Sequence, residues 1–324
     1  MDLQQTLKQY TVDHPHPLWE AKTIQIVLLR EILDYTVLRT EETRELNTVA
    51  TPLSINGGGN EQRVAFLATK QKAAESREME RMLRTATRAE GIEAPECYLK
   101  DKLCLECPRC GLFGGTNVEA GAEKIGNIKH RIEYSTAFSL MPFKDVSTSI
   151  TFNGIVDTTQ QTGQALGTRY AVIPATLFPS IVTLRSVTWR EVVLTRKTLL
   201  ASKSYGAEAR SGGDVRNTIV GLVGGWEEII TPLELTLELY ARCVEPAEST
   251  QRKTLTGETV ADVLSTYTAY AGNPSKVKIF TPQEVDTIVA AVAAAELDKP
   301  FLQAAYADVS AYRQIQAAAA GKKK

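Results

Sequence analysis

An α+β fold is what this sequence predicts, and three observations predict it. A long apolar run near the N-terminus reads as a buried strand. Alternating segments recur further along, and amphipathic or alanine-rich stretches with helix-stop and helix-cap signals separate them. At 324 residues, 43% hydrophobic and 23% charged, the chain has the balance of a globular protein and exceeds one typical core. No run of eighteen apolar residues occurs, so neither a membrane span nor a secretory signal is expected.

Thr23–Thr40 is nearly continuous in apolar and β-branched residues (Ile24, Ile26, Leu28, Ile32, Val37), which predicts a central strand buried on both faces. Ser54–Asn60, with Gly57–Gly59, reads as a flexible turn. No G-x-x-x-x-G-K-[ST] pattern follows it, so these glycines carry no nucleotide site. Met79, Met82, Leu83 and Ala86 share one face of a helix over Ala73–Ala89 that Gly91 stops. Its other face carries Arg77, Arg81, Arg84 and Arg88, either a solvated stripe paired with Glu78 and Glu80 or a contact for phosphates.

Residues 91–128 read as an insertion with a Gly-rich exit (Gly111, Gly114, Gly115, Gly121, Gly126). Val146–Asn153 alternates, and strand character returns at Arg169–Ile173 after the polar stretch Asp157–Thr168. A long projecting β-hairpin is expected there. Ile181–Leu194 and Leu233–Tyr240 read as strands, the second with leucines inward and Cys243 closing it as an inert core thiol. Thr281-Pro-Gln-Glu284 fits a capping box that opens an alanine-rich helix, and Lys322–Lys324 reads as a disordered tail. This order of elements predicts a sandwich of the ferredoxin or RNA-recognition type. Parallel winding fits less well, because only two clear helices stand between strands.

Cys97, Cys104, Cys107 and Cys110 fall within fourteen residues. Two C-x-x-C pairs share Cys107, and Gly111 is read as freeing the turn of a metal knuckle. Four soft thiolates favour a closed, structural zinc site. An iron–sulfur cluster is the alternative, although the fourth cysteine and proline of the ferredoxin spacing are missing. Clustered cysteines with only Cys243 elsewhere suit a reducing cytoplasm.

The net charge of −1 gives no bulk argument for nucleic acid, but its distribution is uneven. Arg185–Arg216 carries seven basic side chains against three acidic. Leu222–Phe301 carries six against twelve, so two unlike faces suited to head-to-tail self-association are expected. Within the basic centre, Lys203–Asn217 is Gly-rich. Gly206, Gly212 and Gly213 are read as exposing amides to an anion, and Lys203, Arg210 and Arg216 as supplying charge. Ser211 and Asn217 would add hydrogen bonds, and Tyr205 a face for base stacking. The alternative is a mobile surface loop. His14, His16 and His130 build no catalytic pattern, and no hydrolase, metalloprotease or kinase signature occurs.

Gly163-Gln-Ala-Leu-Gly-Thr-Arg-Tyr170 behind the strand at Ile150, followed by Val172-Ile-Pro-Ala-Thr-Leu-Phe178, resembles the thumb hairpin of CRISPR effector backbone subunits. Tyr205-Gly-Ala with Arg210-Ser-Gly-Gly resembles their phosphate-contacting loop. With the four-cysteine insertion added, the sequence most resembles the type I-D Cascade backbone subunits, the Csc-two-like branch of the Cas-seven superfamily of RAMP-type RNA-binding proteins. The resemblance spans most of residues 20–240.

It implies an RNA-recognition-type palm over 1–90 and 129–324 that includes a C-terminal helical part. A zinc insertion would lie at 91–128 and a thumb at 146–180. Copies would stack head-to-tail along a CRISPR RNA and present it for pairing with target DNA, or RNA, in antiviral defence. Implied partners are further copies of the chain and other Cascade subunits (Cas-five-like, Cas-six-like and a Cas-ten-like large subunit). On this reading Lys203, Arg210, Arg216 and the amides at Gly212 and Gly213 hold guide phosphates. Lys70 and Lys72, just before the first long helix, add contacts, and Arg169 with the tip near Gln164, Ala165 and Leu166 forms the thumb.

Related type III subunits cut RNA with an aspartate in the loop after the first strand. No aspartate occurs here between Asp34 and Asp101, so a scaffold and not an enzyme is expected. A ruler-like endonuclease using a carboxylate such as Asp145 or Asp157, and a generic zinc-ribbon RNA-binding protein, are the alternatives.

Overall fold

The computed structural model describes residues 3–39, 45–98, 102–117, 126–207, 212–248 and 250–321. The chain opens with α1 (Leu3–Lys8), β1 (Thr23–Ile32), β2 (Thr48–Ser54), β3 (Gly57–Phe66) and α2 (Ala68–Ala89). Short elements follow: α3 (Pro108–Phe113), β4 (Gly115–Thr116), β5 (Asn127–Ile128), β6 (Ile132–Tyr134), β7 (Ala137–Phe138) and α4 (Phe143–Val146). The second half contains β8 (Ser147–Val156), β9 (Gln161–Val172), β10 (Leu177–Arg185), α5 (Trp189–Ala201) and β11 (Val215–Gly225). It ends with α6 (Pro232–Cys243), α7 (Gly257–Thr268), β12 (Lys278–Ile279), α8 (Pro282–Ala294) and α9 (Lys299–Gly321).

The apolar N-terminal run becomes the middle of a five-stranded sheet of order β12-β11-β1-β10-β6, antiparallel at every pairing. Alternate side chains of β1 serve two cores. Ile24, Ile26 and Leu28 pack with Met79 and Leu83 of α2, Val192 and Val193 of α5, and Ile288 of α8. Val27 and Leu29 pack with Leu235 and Leu239 of α6 and with Val260 and Leu264 of α7. Each such side chain, fully buried, contributes about 1.5–3 kcal/mol. The expectation of a strand buried on both faces holds, but β1 ends at Ile32 and not at Thr40. Leu33, Asp34 and Tyr35 are exposed in the bend that follows.

Three segments expected as strand or turn differ in kind or in extent. Leu233–Tyr240 lies in α6. Thr231 caps that helix in a full box with Glu234, and Pro232 occupies its first turn. Burial of Leu235, Leu237 and Leu239 from both sides lets a period-2 pattern satisfy a helix. Cys243 is therefore the half-buried last residue of a helix. The strand over Ile181–Leu194 stops at Arg185, and the Thr188–Glu191 capping box starts α5. The turn expected over Ser54–Asn60 forms but is shorter, Ile55–Asn56, and Gly57–Gly59 already belong to β3, Gly57 opposite Ser54, with φ of 101°, 90° and 84° at the three glycines. By contrast, the capping box at Thr281 forms as expected and opens α8. Lys322–Lys324 and Gly121 lie outside the described residues.

β8 and β9 form a two-stranded antiparallel hairpin, joined to the rest by the bridge Thr36↔Val172 at its base. Its register pairs Val156 with Gln161, so the tip is Asp157–Gln160 and Gln160 takes φ of 52°. Gln164, Ala165 and Leu166 consequently run within β9, short of the tip. β10 belongs to the central sheet, so the hairpin spans Ser147–Val172 and not 146–180.

One charged group sits at the middle of this architecture. Arg30 of β1 and Glu75 of α2 are both fully buried and 2.6 Å apart. Arg30 also donates to Tyr205 Oη (3.2 Å) and Asn217 Oδ1 (3.0 Å), and Tyr205 donates to Glu75 (2.8 Å). Removing one member leaves an uncompensated buried charge. Glu75→Ala is therefore expected to cost about 3–5 kcal/mol in urea unfolding, and Arg30→Met with Glu75→Leu to cost less than that single change.

Candidate metal centre and nucleic-acid surface

The four clustered cysteines converge: their Sγ atoms all lie within 4.8 Å of one another, and Cys97 Sγ stands 3.5 Å from Cys110 Sγ. Thiolates on a tetrahedral ion of zinc size, at about 2.3 Å each, would stand about 3.8 Å apart, so the donor set fits. The local backbone explains the convergence. Leu105 takes φ of 59°, a left-handed conformation, and the following amide of Glu106 donates to Cys104 Sγ at 3.4 Å. Cys107 caps α3, its sulfur accepting from the amide of Cys110 at 3.4 Å. Bonds from the other three thiols, and then the adjacent Arg109 guanidinium, hold the Cys110 thiol far below its ordinary pKa. These four cysteines could hold one metal ion.

Gly111 plays a different part from the one expected. It lies inside α3, where a Cβ would meet Val309 Cγ2 of α9 at 2.8 Å, so close helix packing requires the glycine. Cys97, Leu105, Cys107, Cys110 and Ile128 share a cluster with Val309 and Tyr312 of α9. Buried Arg131 adds a second tie. It donates to Gly111 O (2.9 Å) and pairs with Glu191, the capping glutamate of α5. The cysteine segment is thus built into the fold through α5 and α9.

The Gly-rich loop is partly internal. Tyr205 is 2% exposed, its ring edge-on to Phe66 and beside Arg30, and Asn217 donates to Leu199 O and Tyr205 Oη. Neither offers a face to a base: the bonds of both with Arg30, and of Tyr205 with Glu75, hold them inside. Burial, and then Glu75, push the Tyr205 hydroxyl pKa well up. The Gly213 amide, expected to meet an anion, donates instead to Tyr35 O at 3.1 Å. A Cβ at Gly212 would stand 2.7 Å from that same oxygen, so close backbone approach is what requires glycine there.

Lys203 and Arg216 are exposed, the latter paired with Glu31 of β1. Arg210 and Ser211 lie outside the described residues. The loop's backbone bonds bring Tyr35, 45% exposed, beside it; this exposed aromatic was masked in the sequence by the run read as one strand. The shorter β1 also places Asp34 in the loop after the first strand, its Oδ1 accepting from the Tyr35 amide at 2.7 Å.

Lys70 and Lys72 lie in the first turns of α2, which starts at Ala68, and both are half-buried. Arg169 is half-buried within β9. The stripe Arg77, Arg81, Arg84 and Arg88 is exposed, and its Glu78–Arg81 and Glu80–Arg84 pairs match the solvated reading.

Metal loss should be felt beyond the cysteines, because α9 packs on them and Arg131 ties their helix to α5. Chelation or Cys110→Ser is expected to abolish metal binding, measured by elemental analysis, and to lower the unfolding midpoint of the whole chain. Because thiolates and not thiols bind metal, the ion should be retained at neutral pH and released on acidification. Gly111→Ala should lower the midpoint while metal stoichiometry is kept, as the clash is with Val309.

No curated protein sequence matches the chain. Among solved structures, the crystal structure of Thermofilum pendens Csc2 is similar at a TM-score of 0.64 and 19% identity, covering 98% of this chain and 97% of that one. At this identity the likeness is one of fold. A chain of a CRISPR RNA-guided surveillance complex aligns at 12% identity and a TM-score of 0.49, covering 82% of this chain and 99% of that one. A chain of a type IV-B CRISPR complex aligns at 13% and 0.41, covering 60% and 90%. The sequence itself matches the Csc2 CRISPR family over residues 3–306. The chain belongs to the Csc2 CRISPR family.

Proposed function

We propose that this protein is a CRISPR RNA-binding backbone subunit of a type I-D Cascade. It would stack head-to-tail along the guide and present it for pairing with target DNA. The family match over residues 3–306 carries this reading. The sheet supports it: β11-β1-β10-β6, with α2 after β1 and α5 after β10, is the strand order of an RNA-recognition-type palm. The β8–β9 hairpin then serves as the thumb, and residues 91–128 as a zinc-stapled subdomain, zinc being the ion best suited to four thiolates.

Because α6 and α7 cover one face of the palm sheet and α2 and α5 the other, the strand must run over loops and edges. Lys203 and Arg216 supply charge to guide phosphates, and Tyr35, in place of Tyr205, supplies a stacking face. Further copies of the chain and other Cascade subunits complete the particle. Among the described residues no helix is long and apolar enough to cross a membrane.

The test is sedimentation of the full chain with a guide-length single-stranded RNA. Multi-copy particles are expected, and their assembly should be lost in Lys203→Glu with Arg216→Glu or on removal of the hairpin. A monomer that ignores RNA would overturn the reading. Asp34 favours one second reading, a nuclease, because it lies in the loop after β1. Divalent-ion-dependent cuts at regular spacing, abolished by Asp34→Asn, would establish it; intact target RNA leaves the scaffold.

A further inference from the structure

A groove of about 520 Å³ opens beside the cysteine segment, and none of its lining residues belongs to the Gly-rich loop or the hairpin. Lys72 of α2, Lys129 and His130 line it together with the neutral donors Thr116, Asn127 and Gln316. Its described walls carry no carboxylate. Lys72 makes no ion pair among the described residues. Burial, and then Arg109, hold its ammonium pKa below the ordinary value, so the cation faces another cation. Arg109 itself is engaged elsewhere, donating to Ser76 Oγ at 2.8 Å and toward Cys110 Sγ.

Lys129 lies 3.9 Å above the Trp19 ring, a contact that steadies its stem without neutralising it. His130 stands edge-on to the same ring. Burial, then Lys72, hold its imidazole below the ordinary pKa, with Lys129 adding to this and Glu133 opposing. Glu133 is occupied by Arg185 at 2.9 Å. Gly114, at φ of 75°, lets the chain pass so close to His130 that a Cβ would meet its amide nitrogen at 2.8 Å. Two ammonium groups and an imidazole are therefore held together on a shaped surface whose described walls carry no carboxylate.

An anion would relieve that imbalance, and the form of the groove says which kind. Small-molecule sites enclose most of their ligand. This groove is open, with Lys129, His130 and Thr116 exposed at its rim, which suits a passing polymer backbone. We propose that it binds phosphodiester groups of a single-stranded nucleic acid, giving the metal subdomain a contact of its own beyond the guide-coating loop. The inference rests on the reading of this protein as a nucleic-acid-binding subunit, and the strand concerned is either guide or target.

Both sources are tested with the metal-loaded full chain. Fluorescent oligouridylate RNA is titrated into the protein across a salt series. Complementary oligodeoxyadenylate DNA is titrated into the particle assembled on that RNA. Lys72→Gln with Lys129→Gln is expected to bind roughly tenfold more weakly, with a log–log salt slope smaller by about 1.4, ~0.7 per lost phosphate contact. Lys72→Arg should keep wild-type affinity.

Weakening in the RNA titration assigns the groove to the guide; weakening only in the DNA titration assigns it to the target strand. Circular dichroism and metal content should match wild type. If the double variant does not fold, Thr116→Glu places a carboxylate at the exposed rim and should weaken binding likewise. Unchanged affinity and slope in both titrations, with particles still forming, overturns the groove and leaves the proposed function standing. Strand binding by a wild-type protein that never forms multi-copy particles, lost in the groove variants, supports the groove and overturns the backbone reading. A wild-type protein that binds neither strand overturns both.

Discussion

The structure turns on one buried ion pair. Arg30 lies near the C-terminal end of the central strand, and its charge is met by Glu75 from α2, Tyr205 from the Gly-rich loop and Asn217 from the neighbouring strand β11. A buried guanidinium is tolerated only when such partners are all in place, because taking the charge out of water is costly. The pair therefore constrains more than its own helix and strand. It draws Tyr205 inward and so sets the path of the loop. With Asn217 pointing in, strand alternation points Arg216 out. The exposed residues proposed to meet the guide are those that this internal network leaves outside.

A second buried arginine does the same for the metal subdomain. Arg131 joins Gly111 of the cysteine helix to Glu191, and Glu191 in turn caps α5 through Thr188. Thr188 and Arg190 also reach Asp308 of α9. Four thiolates closing on one ion would thus fix α3, and through Arg131 and Val309 the start of α5 and the middle of α9. This is a different object from an independent zinc ribbon. The stabilising contacts of the cysteine helix run outward to α5 and α9.

How far the sequence showed this depends on the kind of signal. Cysteine spacing was enough to predict that the four thiols converge, because four thiols in fourteen residues have few uses other than a shared ion. The central strand was legible from its apolar run, though not its end, since Val37 and Leu38 beyond the bend are buried too, Leu38 in one cluster with Ile32. Leu233–Tyr240 misled because a helix buried from both sides satisfies any short apolar period. The Thr231-Pro232-x-Glu234 box, of the same kind as the one read correctly at Thr281, was the signal that could have corrected it. Tyr205 and Asn217 misled for a different reason. Both are polar residues in a basic stretch, and only the long-range partners Arg30 and Glu75 explain why they are inside.

The same long-range pairing reshapes the charge argument. The basic centre of the sequence spends much of its charge internally: Arg185 pairs with Glu133 and Glu228, Arg190 with Asp308, and Arg216 with Glu31. These pairs are not equal. Asp308 is buried, and giving up Arg190 would strand its carboxylate away from water. Arg216 is exposed, and exposed pairs contribute only about 0–1 kcal/mol, so a phosphate can take it from Glu31 at little cost. Lys203 has no such partner to displace among the described residues. Burial of the acid, more than the number of bases, therefore sorts the cations available to a nucleic acid from those that hold the fold.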